Sequence, residues 1–131
     1  MLAKMTISDY MSSNILSTKP ETNAIVAIIQ LLDHKITCAP VLDQSGKVLG
    51  MFSEVDCMTV VLETSYNQGM SGSVSEYMST NVISVDADSS IVDLAKKFKE
   101  SSVRSFPVYK DNDLVGVVSR TDVLKALVSI R

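Results

Sequence analysis

Ser8-Asp9-Tyr10-Met11-Ser12-Ser13-Asn14-Ile15-Leu16-Ser17 returns further along the chain as Ser75-Glu76-Tyr77-Met78-Ser79-Thr80-Asn81-Val82-Ile83-Ser84. The same offset carries Ala39-Pro40-Val41 onto Phe106-Pro107-Val108. After the loss of one residue it carries Gly50-Met51-Phe52-Ser53-Glu54-Val55-Asp56 onto Gly116-Val117-Val118-Ser119-Arg120-Thr121-Asp122. The loss falls where Asp43-Gln44-Ser45-Gly46 faces Lys110-Asp111-Asn112-Asp113, in a turn, where a deletion disturbs least. Fragments kept in order and in register twice identify an internal duplication.

Working outward, each copy has one pattern: a short strand (residues 15–18 and 82–85), an amphipathic helix, a hairpin and a second helix. The unit is β-α-β-β-α, so the fold class is α+β with α/β character. Two repeats, 8–62 and 75–128, pack pseudo-symmetrically with small mixed sheets covered by helices, joined by a flexible connection at 63–74 rich in Ser and Gly. The first strand reaches the second through a helix, which makes that pair parallel, whereas the hairpin is antiparallel. Ile25, Ile28, Ile29, Leu32 and Ile36 give the first helix a core-facing stripe at helical spacing. Ile91, Leu94, Ala95 and Phe98 do the same in the second copy. The closing helices, around Leu62 and Leu127, are apolar nearly all round, and one sheet cannot cover them. A second burial surface, from the other repeat or another subunit, follows.

With 46% hydrophobic and 21% charged residues, the chain has the apolar content of a folded core, which excludes disorder. Its net charge of −3 and twelve scattered Lys and Arg offer no basic stripe, so nucleic acid is not an expected partner. No apolar run is long enough to span a bilayer, and residues 1–10 lack a basic-then-apolar leader. The expectation is a cytoplasmic protein with no membrane partner. Cys38 and Cys57 lack CxxC spacing and are read as free thiols. His34, the single histidine, stands at a helix C-terminus, where a cation needs no catalytic role. No nucleophile–base pair, metal cluster or phosphate-cradling glycine loop is present, so no catalytic residue, metal ligand or required cofactor is assigned and an enzyme is not expected.

Strand, helix, Pro-Val hairpin and Gly-x-x-Ser-x-x-Asp, in register twice from Ser8 to Val128, resemble a tandem pair of cystathionine β-synthase (CBS) repeats, a Bateman module. The resemblance implies a non-catalytic regulatory module. Such modules bind adenosine compounds, AMP, ADP, ATP or S-adenosylmethionine, in clefts between the repeats. Carried over, the phosphate or ribose contacts are Ser53 and Asp56, then Ser119 and Asp122, with each Asp taking the ribose hydroxyls. The base falls to Thr18, Cys38 and Ala39, and to Val85, Ser105 and Phe106. Arg104 stands where relatives often carry a phosphate-binding Arg, and its counterpart is Thr37; Arg120, whose counterpart is Glu54, is the second candidate for phosphate contact.

The chemistry is consistent with this. A carboxylate accepts two bonds from vicinal hydroxyls, and Gly50 or Gly116 inside a strand permits close approach by a ligand. Ser-x-x-Asp at a helix start is equally a capping box, which needs no ligand. The alternative function is therefore a ligand-free dimerisation or docking module for a partner protein. Either way a homodimer through the closing helices is expected, with an effector protein as a further partner.

Overall fold

The computed structural model describes all residues from Met1 to Arg131. Its helices are α1 (Ala24–Asp33), α2 (Glu54–Tyr66), α3 (Ile91–Glu100) and α4 (Arg120–Ser129). The strands are β1 (Cys38–Leu42), β2 (Val48–Ser53), β3 (Val85–Asp86), β4 (Ser105–Lys110) and β5 (Asp113–Ser119). β1 and β2 form an antiparallel hairpin. β4 and β5 form another, and β3 lies parallel to β4, as the helical crossover requires.

The expected opening strands are nearly absent. Of residues 15–18 only Thr18 pairs, as a single parallel bridge to Val41, and of 82–85 only Val85 enters β3. The chain is otherwise irregular through Asn14 and Asn81, whose side chains favour local turns over a ladder.

Two compact units result, and they cut across the sequence repeats. One is Leu16–Val82; the other joins Met1–Ile15 to Ile83–Arg131. In the first, Val74 is fully buried among Leu31, Val41, Phe52 and Val60, and its N–H donates to the Thr22 carbonyl at 2.8 Å. In the second, Ile7 is buried among Ile91, Leu94, Phe106 and Val118, and its N–H donates to the Ser89 carbonyl at 2.9 Å. The opening segment of each sequence repeat is thus a component of the other repeat's core. The connection read as flexible is partly structured. Glu63–Tyr66 extends α2, and the Gly72 carbonyl accepts from the Ala24 N–H at 2.9 Å.

The exchange also explains the strand glycines. A Cβ on Gly50 would lie 2.5 Å from the Ser79 carbonyl oxygen, and one on Gly116 would lie 2.6 Å from that of Ser12. These carbonyls accept from Met51 and Val117 N–H in the same passages. The close approach is therefore made by the chain's own backbone, and the expectation of a ligand against these glycines is corrected.

The core stripe of α1 also needs correction. Ala24, Ala27 and Leu31 are buried, with Ile28 and Ile36 packed at the edge, while Ile25, Ile29 and Leu32 are exposed together with Val26. The buried residues of α3, namely Ile91, Leu94 and Phe98, stand at the duplicated positions of Ala24, Ala27 and Leu31. In α1 the buried side carries Ala24, Ala27 and Leu31 and the exposed side Ile25, Val26, Ile29 and Leu32, so both sides are apolar and periodicity alone has two solutions.

Candidate functional site

The hairpins bring the site residues together in the same way in both units. Cys38 lies opposite Ser53 and Ala39 opposite Phe52. Ser105 lies opposite Ser119 and Phe106 opposite Val118. The last residue of each hairpin, Ser53 or Ser119, is the N-cap of the helix that follows.

Both caps are complete capping boxes. The Ser53 N–H donates to Asp56 Oδ2 at 2.8 Å and its Oγ–H to the same oxygen at 3.2 Å. Ser119 and Asp122 repeat these distances, 2.8 and 3.2 Å. Each half-buried carboxylate therefore uses one oxygen on the cap, and Oδ1 stays available to another donor. Burial raises the Asp56 pKa above the ordinary carboxylate value, and the two bonds from Ser53 partly oppose that rise. The Cys38 thiol is pushed up to about 12, by burial first, then by the charge of Asp56, then by Cys57. It stays an S–H at neutral pH, a small apolar wall and not a nucleophile. Cys38 and Cys57 are both free and buried.

Thr18 adds an unpartnered polar atom. Its backbone N–H donates to the Pro40 carbonyl at 3.0 Å and its carbonyl accepts from Leu42 at 2.9 Å, while its Oγ1 is buried without a partner. A buried hydroxyl in that state costs about 1–3 kcal/mol. Val85, its counterpart on β3, is buried and offers no such group. The remaining base positions, Ala39, Ser105 and Phe106, are buried along β1 and β4.

The two arginines differ. Arg104 is exposed just before β4. Arg120 Nε donates to the Val103 carbonyl and Nη2 to that of Ser101, each at 3.2 Å, and its guanidinium lies 5.9 Å from the Phe98 ring centre. Arg120 thus ties α4 to the loop after α3, a role its spacing in the sequence did not reveal. The aromatic at its side, Phe98, was legible only as core. His34 caps α1, with Nδ1 2.9 Å from the Gln30 carbonyl.

A family model for the CBS domain matches residues 7–63 and again 74–129. The chain belongs to the CBS domain family. The CBS pair is 28% identical to the CBS-domain containing protein ATU1752 from Agrobacterium tumefaciens, with a TM-score of 0.85 over 95% of this chain and 94% of that one. It is 25% identical to CBSX2 crystallised in complex with AMP, with a TM-score of 0.82 over 96% and 98% of the two chains. An uncharacterized Methanocaldococcus jannaschii protein is 26% identical over 95% of this chain. The CBS pair spans 32% of that relative's length, so such pairs also occur inside longer proteins. No helix of this pair is long and apolar enough to cross a membrane.

Proposed function

We propose that this CBS pair is a regulatory module, not an enzyme, that binds an adenosine-containing ligand of the AMP, ADP, ATP or S-adenosylmethionine class. The observation that carries the reading is the duplicated half-buried carboxylate with one free oxygen, beside a hairpin end walled by buried small residues. A ribose hydroxyl is a donor that such a free carboxylate oxygen accepts, and its two lone pairs leave room for the vicinal one. In the first unit Ser53, Asp56, Thr18, Cys38 and Ala39 form the site, and Thr18 Oγ1 gains the partner it lacks. In the second, Ser119, Asp122, Val85, Ser105 and Phe106 form it, with Arg104 toward phosphate. AMP in CBSX2 supports the ligand class.

The protein acts as a homodimer through the helices containing Leu62 and Leu127, transmits occupancy to an effector protein, and works in the cytoplasm, where its thiols stay reduced. A second reading, a docking module without ligand, is favoured by the capping boxes, which are complete as they stand. Thermal-shift measurements with AMP, ADP, ATP, S-adenosylmethionine and NAD, followed by calorimetry on stripped protein, separate the two. A ligand at a hundred times its Kd adds about 2.7 kcal/mol to stability and raises Tm. No shift and no heat with any adenine compound leaves the docking module.

A further inference from the structure

We infer that Glu54 sets which adenosine compound the Leu16–Val82 unit takes: beside Asp56 it turns phosphate away, so that this site receives an adenosyl group whose 5′ substituent is uncharged or cationic, a thioether or a sulfonium. The inference rests on the adenosine-ligand reading and divides that class between the two units. Glu54 is the first residue of α2, between the cap Ser53 and Asp56, and its N–H donates to the Thr37 carbonyl at 3.0 Å. Its side chain is exposed and takes no part in the chain's one ion pair, Lys110 with Asp88 at 3.9 Å. No cation offsets its charge at the start of the helix. The field of that charge reaches the wall of the site, since the Cys57 thiol is raised by burial first, then by the charges of Asp56 and Glu54. An anion held against the same wall meets the same two carboxylates.

The duplication supplies the contrast. Where the first unit carries Thr37 and Glu54, the second carries Arg104 and Arg120. The N-terminus of each closing helix contributes about half a positive charge, which against Glu54 and Asp56 leaves roughly −1.5 at the start of α2. With Arg104 and Arg120 set against Asp122, the same half charge leaves roughly +1.5 at the start of α4. The whole units lean the same way. Leu16–Val82 holds three Lys or Arg against seven Asp or Glu, net −4, and the remainder holds nine against eight, net +1, which together make the chain's −3. One negative charge roughly 6 Å from the Glu54 carboxylate weakens binding by about threefold to a hundredfold at effective dielectrics of about 80 to 20. Adenosine escapes that loss, and a sulfonium gains by the same electrostatics.

Amide shifts of Asp56 and Cys57 report the first unit and those of Asp122 and Val123 the second, so titrating the wild-type chain with adenosine, S-adenosylmethionine and AMP reads both sites at once. At the first pair AMP should bind about threefold to a hundredfold more weakly than adenosine. At the second pair the order should reverse. E54Q should narrow the first ratio toward one, and E54K should invert it. Salt tests the same charge without a substitution, because screening shortens from about 10 Å at 0.1 M to about 3 Å at 1 M. Across that range AMP should gain on adenosine at the first pair and lose to it at the second, a response that a purely structural Glu54 would not produce. If AMP moves the Asp56 and Cys57 amides as readily as adenosine does, at either salt, Glu54 has no such role while the adenosine-ligand reading stands. Compounds that move only the second pair overturn the inference as well. If no adenine compound moves either pair, both readings fall.

Discussion

Asp56 and Asp122 each serve a helix cap with one oxygen and leave the other free, so capping and binding separate by choice of substitution. Alanine removes the cap as well as the ligand site and should cost about 0.5–2 kcal/mol of stability at each position. Asparagine keeps an acceptor for the Ser N–H but offers an amide to the ribose. D56N/D122N should hold Tm close to wild type, yet lose the charge-assisted bonds, about 1.5–3 kcal/mol, or tenfold to a hundredfold in affinity by calorimetry. An unchanged affinity would remove both carboxylates from the site. Acidification gives an independent reading of Asp56. Its pKa is raised, so in the ligand-free fold its contribution to stability is present below the unfolded value, about 3.9, and is lost as pH rises through the folded value. Adenosine binding at the proposed site should have the opposite sign, because there it would draw on the ionised carboxylate. Affinity at the first unit should begin to fall on acidification above the ordinary Asp range, and titrations of D56N across the same range should be flat.

At the scale of elements, the duplication made the four helices and two hairpins legible before any coordinates, because a constant offset forces the same unit twice. It did not settle which side of α1 faces inward. Ile25, Ile28, Ile29 and Leu32 satisfy helical spacing as well as Ala24, Ala27 and Leu31 do, and their larger side chains make the wrong side look like the core. Aligning α1 on α3 would have resolved it, since α3 is apolar on one side only. The opening strands mislead for a related reason: Ile15, Leu16, Val82 and Ile83 look like strand residues, but of the expected strands only Thr18 and Val85 find a ladder partner. Of the candidate site, the caps and hairpin ends were visible in the motif, whereas the job of Arg120 depends on the path of the loop after α3. That path now separates the arginines. R104A should weaken AMP while leaving adenosine unchanged, by about threefold to a hundredfold for one unit charge roughly 6 Å from phosphate at effective dielectrics of about 80 to 20. R120A should lower Tm and weaken both ligands equally, since it frees the carbonyls of Ser101 and Val103. Equal losses for both ligands with R104A would make Arg104 an ordinary surface charge.

For the whole molecule, the exchange of opening segments means that neither sequence repeat encloses its own core. Val74 closes the unit of the first repeat and Ile7 that of the second. Cutting the chain in the connection at 63–74 should therefore unfold both halves rather than release two domains. The same division leaves Met58, Val61 and Leu62 on α2, and Leu124, Leu127 and Val128 on α4, exposed at matching positions. The duplication keeps apolar groups there although neither core uses them, and water disfavours them. Their removal should then cost association and spare the fold. L62E/L127E should be monomeric by light scattering, with the circular dichroism of the wild type. Melting adds a concentration test: a dimer that dissociates as it unfolds melts higher as protomer concentration rises, whereas a monomer's Tm is constant. Wild-type Tm should climb between low and high micromolar protein and that of L62E/L127E should stay level. A wild-type Tm indifferent to concentration, together with a monomer mass, would leave these helices to a different partner.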